Sequence, residues 1–160
     1  MKCPIRLTVI QNLLGWMQPN KRNWPPGVQP LRPLMLEHLN RLELWSIAAF
    51  LCGLALPLVL QNRTALMFGL TSAGWAGVNI SIALIGKKAP PPRSIYAFFR
   101  LLSANQISNA FYIVFGVFFG LTSETVDWRA AGWAVCIQGI ALLVLDAILL
   151  RQVRELLQEP

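Results

Sequence analysis

Charged residues are scarce in this chain of 160 residues. They make up 13% of it, with 14 Lys and Arg against 7 Asp and Glu, whereas a soluble domain carries about 25%. Hydrophobic residues account for 55% of the chain. This composition argues against a soluble globular enzyme, and also against a disordered chain, which would be poor in apolar residues. It predicts a small integral membrane protein.

Residues that bind metals or act as nucleophiles are also few. The chain has one histidine, His38, and three cysteines, none of them in a C-x-x-C pair, so metal-ligand clusters are not expected. The sequence shows no nucleophile–base pair or phosphate-binding loop, and no helix-turn-helix or RNP pattern. We therefore expect no enzyme activity, no metal, no cofactor and no nucleic-acid partner.

Four long apolar stretches, separated by short charged segments, occupy most of the chain. Each has about 17–28 residues, and roughly 20 helical residues span a bilayer. In lipid the backbone must satisfy its own hydrogen bonds, which favours helices. The sequence thus predicts an all-α, integral membrane, four-helix transmembrane bundle made of two helical hairpins. The spans are expected at about 40–60, 65–86, 98–122 and 128–150, within a domain that covers 37–160.

Basic residues are distributed unequally between the two sides of this bundle. One side receives 12 Lys and Arg, and the other receives 2, Arg63 and Arg129. Cytoplasmic loops carry the excess of Lys and Arg in membrane proteins. The prediction is a multi-pass protein of the cell (inner) membrane, in contact with membrane lipid, with both termini in the cytoplasm.

The segment 1–36 precedes the bundle and has two parts. Between Ile5 and Met17 the apolar side chains share one helical face, which predicts a short N-terminal amphipathic helix on the cytoplasmic leaflet. A poorly ordered tail is the alternative. Residues 19–33 are rich in proline, which lacks an N–H and fixes φ, so they are expected to form an extended linker.

Small residues recur at every fourth position of the second span. Such rows let helix backbones approach closely. Internal packing is favoured over dimer contacts, since four helices must pack against one another, and dimer contacts are the alternative. The expected packing positions are Ala65, Gly69, Ala73, Gly77 and Ser81 in the second span, Gly116 and Gly120 in the third, and Gly139 in the fourth.

Polar side chains also fall inside the spans, and Asp146 is the only acidic one among them. Such groups are costly in lipid unless they face the interior and find partners. The expected cluster consists of Asn79, Asn105, Asn109, Tyr112, Gln138, Asp146 and Arg41, with Arg41 as the ion-pair partner of Asp146. It is either a network that locks the helices or a proton- or ligand-binding site around Asp146. The structural interpretation is favoured, because amides dominate the cluster and do not titrate.

Three short motifs stand out in the last three spans. They are Trp75-Ala76-Gly77-Val78-Asn79 followed by Ala83 and Gly86, then Asn105, Asn109 and Tyr112, then Gln138, Gly139 and Asp146. Over roughly 37–151 they resemble the signatures of a family of short four-helix bacterial membrane proteins with no assigned function. This chain has Ala76 where that family has Asn, and Asn109 where it has Asp. The resemblance implies the four-helix fold and a polar cluster, and it implies no reaction.

Two functions are compatible with these features. The first is a non-catalytic accessory or scaffold protein that contacts lipid or partner helices, as a homo-oligomer or with a partner membrane protein. The alternative is a small transporter or proton-coupled binder that acts as an oligomer and uses Asp146 with the intramembrane amides. The sequence favours the first, because it offers no reactive constellation and the bundle is too small for an obvious pore.

Overall fold

Four long helices make up nearly all of the computed structural model, which describes residues 24–158. A short 3₁₀ turn, Pro26–Val28, precedes them, and no strand occurs within the described range. The helices are α1 (Leu31–Leu60), α2 (Arg63–Gly86), α3 (Ile95–Thr122) and α4 (Val126–Gln158). Each is long and apolar enough to cross a membrane. The predicted all-α four-helix fold is confirmed, while the expected N-terminal amphipathic helix lies outside the described residues.

The connections between helices explain the antiparallel hairpins. Only Gln61 and Asn62 join α1 to α2. Gln61 adopts a left-handed conformation with φ of 48°, which reverses the chain in two residues. The Asn62 side chain accepts a hydrogen bond of 2.8 Å from the backbone N–H of Ala65, and Ser94 caps the start of α3 in the same way. These side chains satisfy N–H groups that a helix cannot pair internally.

The first helix begins earlier than the sequence suggests. The sequence predicts a linker as far as Pro33 and a span from about residue 40, whereas α1 starts at Leu31. Pro33 is compatible with this start, because N–H groups in the first turn of a helix have no intrahelical acceptor. Leu31 is fully buried, and it joins a core cluster with Val28, Phe98 and Val153. This cluster anchors the start of α1 against α3 and α4.

The two hairpins, α1–α2 and α3–α4, are held together mainly by α4, which packs against both α2 and α1. In contrast, α2 and α3 scarcely approach each other. Large apolar side chains on all four helices remain exposed, while several polar residues are buried. This distribution is the one expected of helices surrounded by lipid, where polar groups must face the interior. The buried polar residues are Ser46, Ser72, Asn79, Asn109, Gln138 and Asp146.

Glycines mark the closest helix contacts. A Cβ atom on Gly116 would lie 2.5 Å from the backbone nitrogen of Cys136, so α3 and α4 could not pack as they do with a larger residue there. Gly69 is similarly close to the Gly53 carbonyl in α1, and Gly120 lies against Trp133. Among the other predicted packing positions, Ala65 and Ala73 are buried, and Gly139 lies against Tyr112 and Ile113.

Two predicted packing positions lie away from these contacts. Apart from the adjoining backbone of its own helix, nothing lies within 4 Å of the position that a Cβ on Gly77 would occupy. Ser81 is exposed, and its hydroxyl donates a hydrogen bond to the Gly77 carbonyl within the same helix. Residues four apart differ by about 40° around an α-helix, so a strict row of fours turns gradually away from the face on which it begins. Further along α2 the buried face passes instead through Ala76, Asn79 and Ala83.

Candidate functional site

Asp146 is the buried centre of a polar cluster. Its Oδ2 atom accepts hydrogen bonds from Asn105 Nδ2 at 2.6 Å and from Asn109 Nδ2 at 2.8 Å. Its Oδ1 atom lies 3.2 Å from Nε2 of His38. The Asp146 residue is only 4% exposed. One carboxylate therefore connects α1, α3 and α4.

The helical repeat explains why these residues meet. Asn105 and Asn109 are four residues apart in α3, so their side chains lie on one face, one turn apart. That face packs against α4, where Asp146 receives both amides. His38 belongs to the early part of α1, before the residues that the sequence assigns to the first span. Because α1 begins at Leu31, His38 is held in a regular helix beside α4.

A cavity of about 380 Å³ adjoins this cluster and is bounded by all four helices. Asp146, His38, Asn105 and Asn109 are among its lining residues. Most of the remaining wall is apolar. The other lining residues are Met35, Leu39, Leu42, Trp75, Asn79, Ile82, Gly86, Ala89, Phe98, Leu101, Leu102, Tyr112, Leu142 and Leu149.

Two aromatic rings line the cavity on the side where α2 and α3 face each other. The ring centroids of Trp75 and Tyr112 are 4.9 Å apart, and the ring planes meet at 62°. This edge-to-face arrangement is favourable for aromatic pairs. It bridges two helices whose backbones scarcely approach.

Asn79 has an unsatisfied polar atom at the same cavity. The residue is 3% exposed, and its Nδ2 atom finds no hydrogen-bond partner in the described part of the chain. Leaving a buried donor unpaired costs about 1–3 kcal/mol. A buried polar group without a partner calls for an explanation, and a hydrogen-bond acceptor bound in the cavity would supply one.

Comparison with known families identifies the chain's relatives. A family model described as a family of unknown function, DUF6992, matches residues 41–147. The chain belongs to the DUF6992 family. This agrees with the predicted membership of a family with no assigned function. No curated protein and no solved structure matches the chain.

The DUF6992 match contains part of the polar cluster and leaves part of it out. Asn79, Asn105, Asn109 and Asp146 all fall within residues 41–147, whereas His38 precedes them. The histidine contact with Asp146 is therefore contributed by a part of α1 outside the matched range.

The structure brings together five of the seven residues predicted for the polar cluster. Asn105, Asn109 and Asp146 are joined by hydrogen bonds, and Asn79 and Tyr112 line the same cavity.

Arg41 and Gln138 lie elsewhere. Arg41 forms an ion pair with Glu37 one turn earlier in α1, rather than with Asp146. Gln138 is buried, but its side-chain oxygen accepts a hydrogen bond of 3.2 Å from Trp45 Nε1. The spacing of Gln138 from Asp146 accounts for this separation. Eight residues correspond to about 800°, which leaves the two side chains some 80° apart around α4.

His38 and Trp75 are the cavity residues with a side-chain nitrogen or oxygen that sequence reasoning did not assign to the cluster. His38 lies about one turn before Arg41. It therefore lies on nearly the same side of α1 as Arg41, provided that the helix begins before residue 38. Trp75 precedes Asn79 by four residues, which places the two on one face of α2. Both signals are present in the sequence, but they depend on knowing where α1 begins and which side of α2 is buried.

The polar groups around Asp146 are engaged mainly with one another. Within residues 24–158 no group of three or more His, Cys, Asp and Glu side chains is positioned to hold a metal ion. The Asp146 oxygens already have three polar neighbours. Among the described residues that line the cavity, the buried side-chain atom without a hydrogen-bond partner is Asn79 Nδ2.

Proposed function

We propose that this DUF6992 member is a multi-pass protein of the bacterial inner membrane with both termini in the cytoplasm. The charge distribution supports this orientation, because Lys and Arg accumulate on the cytoplasmic side of membrane proteins. One end of the bundle, where α1 begins and α4 ends, carries Lys87, Lys88, Arg93, Arg100, Arg151 and Arg154. The opposite end carries Arg63 and Arg129.

Its function, in this proposal, is the reversible and non-catalytic binding of a small molecule in the cavity beside Asp146. A single observation carries the proposal: a buried carboxylate with three polar neighbours lines the same cavity as the unpartnered amide of Asn79. The unpartnered donor of Asn79 favours a bound ligand over a network that serves only to lock the helices. The geometry therefore gives the binding hypothesis more support than the sequence does.

Absence of catalysis is part of the proposal. The Asp146 oxygens are engaged by their neighbours, and the described lining of the cavity includes no Ser, Thr, Cys or Lys that could act as a nucleophile. A positioned nucleophile beside a free base is the minimum for covalent catalysis.

The direct test is native mass spectrometry of the full chain, extracted from its own membrane in nanodiscs. The wild type should retain a small molecule in addition to bulk lipid, and Asp146→Asn should retain much less. Asp127→Asn is the matched control, since it makes the same change in the same helix at an exposed position paired with Arg63. Equal retention by the three proteins, or retention by none, would contradict the proposal.

Whether binding extends to transport is a separate measurement. Proteoliposomes of wild type, Asp146→Asn and Asp127→Asn can be compared for proton or solute flux under a pH gradient. Flux in wild type and Asp127→Asn, but not in Asp146→Asn, would support a proton-coupled transporter. Background flux in all three would limit the function to binding.

An accessory role is the second candidate, and one surface favours it. A groove of about 460 Å³ between α1 and α4 is almost entirely apolar, and a helix of a second membrane protein or of another copy of this chain could lie against it. The groove is lined by Trp45, Ile137, Ile140, Ala141, Val144 and Leu145. Cross-linking from Ile140 in native membranes should capture one stoichiometric partner if this candidate is right. Labelling of lipid alone would count against it.

A further inference from the structure

The cavity has its mouth between α2 and α3. Ile82 and Leu101 both line it, yet they are 52% and 66% exposed, so they stand at its outer edge. The opposite wall is closed by the buried Asp146 and Asn109. Since α2 and α3 are both candidate membrane spans, this mouth opens sideways between two helices that face lipid.

The depth of the mouth is that of the boundary between head groups and acyl chains. Ile82 precedes Lys87 by five residues, which corresponds to about 7 Å along the helix axis. Leu101 directly follows Arg100 in α3. A molecule that diffuses within the leaflet, with its polar head at the interface, would meet the opening directly.

The buried side-chain atom without a partner is a donor, Asn79 Nδ2. The lining also includes Trp75 and Tyr112, whose indole N–H and hydroxyl groups can donate. None of the described lining residues is Lys or Arg, which disfavours a phosphate head group, because phosphate is typically bound by such cations. Uncharged donors in an apolar wall suit uncharged acceptors such as carbonyl oxygens.

The aromatic lining of the cavity favours a flat ring. Trp75 and Tyr112 meet edge to face, and together they present aromatic surface on which a planar group can stack. The volume of about 380 Å³ lies within the range of pockets that bind small molecules. A ring-sized head fits such a volume, while a long hydrocarbon tail would extend through the mouth into the bilayer.

We propose that the cavity takes up, from the bilayer, a flat and uncharged carbonyl-bearing ring attached to a hydrocarbon tail, which is the chemistry of a membrane quinone. The ring carbonyl accepts a hydrogen bond from Asn79 and the tail passes between Ile82 and Leu101. The inference rests on the proposed binding function and specifies the class of ligand. Binding alone is proposed, without electron transfer.

The experiment uses the full chain in nanodiscs of phosphatidylcholine and phosphatidylglycerol. The probe is a photoreactive azido-benzoquinone with a short isoprenoid tail, and labelled peptides are mapped by mass spectrometry. Label should concentrate on the cavity-lining parts of α2 and α3, and an unlabelled short-tail benzoquinone should displace it. Label spread evenly over the lipid-exposed surface, without displacement, would overturn the proposal.

Two variants with matched controls test the details. Asn79→Leu should reduce specific labelling about threefold to tenfold, the loss expected for one hydrogen bond. Gln138→Leu removes a buried amide outside this cavity and should leave labelling unchanged. Leu101→Trp should obstruct the mouth and reduce labelling. Ile107→Trp changes another exposed residue of α3, outside the cavity lining, and should not.

Folding and entry route are controlled separately. Asn79→Leu removes an unpaired donor, so its unfolding temperature should equal or exceed that of the wild type; a lower value would argue that Asn79 is structural. A tail-free, water-soluble benzoquinone should compete far less well than the tailed one, and equal competition would overturn entry from the bilayer. An isoprenoid alcohol with the same tail should not compete, and competition by it would show that the tail alone is recognised.

Failure of the ligand class can be distinguished from failure of the proposed function. If native mass spectrometry detects a retained water-soluble molecule that depends on Asp146, while the azidoquinone labels nothing specifically, the cavity binds a ligand of another class. If neither experiment detects a ligand, both proposals fail.

Discussion

Replacing Asp146 with asparagine should destabilise the bundle although the two side chains have nearly the same shape. The change converts one acceptor oxygen into an NH₂ donor. The neighbouring groups at that position are Asn105 Nδ2, Asn109 Nδ2 and His38 Nε2. Whichever way the new amide is turned, its NH₂ group faces at least one of these nitrogen atoms. In the better orientation the new amide oxygen takes the place of Oδ2 and keeps both asparagine contacts. The NH₂ group then replaces the acceptor that faced His38, and the negative charge that strengthened all three contacts is lost.

The magnitude follows from the number and setting of these contacts. Hydrogen bonds between membrane helices contribute about 0.6 kcal/mol on average and up to about 1.7 kcal/mol, so three of them bracket about 2–5 kcal/mol. Asparagine keeps the two amide contacts and loses the histidine contact, which places the expected loss at about 1–2 kcal/mol. For a protein of this size each kcal/mol lowers the unfolding temperature by about 2–4 °C, and the expected shift is about 2–8 °C.

The assay is thermal or denaturant unfolding of the full chain in one mild detergent, with Asp127→Asn as the matched control. A double variant that exchanges the two side chains tests the hydrogen bonding directly. Combining Asp146→Asn with Asn109→Asp restores a carboxylate opposite an amide, and it should recover at least half of the lost stability. An Asp146→Asn variant as stable as the wild type would show that the contacts of Asp146 do not stabilise the bundle. If the stability losses of Asp146→Asn and Asn109→Asp simply add in the double variant, the pairing of donor and acceptor does not explain the stability.

Three further predictions concern helix packing, one ion pair and topology. Gly116→Ala should lower stability by about 1–3 kcal/mol, because its methyl group would meet the backbone of Cys136 at 2.5 Å. Gly77→Ala, where the methyl group enters open space, should raise stability by about 0.5–1 kcal/mol. Arg63→Ala breaks an exposed pair with Asp127, and its small effect in unfolding experiments should disappear at high salt. A reporter fused at either terminus should be active in the cytoplasm, and a periplasmic signal would contradict the proposed orientation.

The fold was predictable because it depends on a property that composition records directly. Runs of apolar residues long enough to cross a bilayer can only be helices there, and short polar gaps force neighbouring helices to run antiparallel. The gap at Gln61 and Asn62 illustrates this, since two residues between helices leave no other route. The existence and the order of the helices could be predicted without knowledge of side-chain contacts.

The faces of the helices were harder to predict, because none of them is strongly amphipathic. In α2 the small residues spaced by four begin on the buried face at Ala65 and Gly69, but Ser81 is exposed. With apolar residues towards both lipid and interior, hydrophobicity does not mark which side is buried, and a strict spacing of four drifts away from it. Asn79, which is polar and deeply buried, is the better marker of the interior face.

His38 shows how a helix boundary can determine the composition of a site. The charged residues Glu37, Arg41 and Glu43 make the start of α1 look like a loop when only apolar length is considered. Yet Leu31 and Val28 are buried against α3 and α4, and this contact extends regular helix over residues that carry charge. Extension of α1 back to Leu31 brings the single histidine to within 3.2 Å of the only carboxylate inside a predicted span.

The same extension explains why Arg41 is not the partner of Asp146. Arg41 lies one turn further along α1 than His38, and its neighbour there is Glu37. Asp146 therefore meets an imidazole, whose nitrogen atoms can donate or accept a hydrogen bond, in place of a guanidinium, which can only donate.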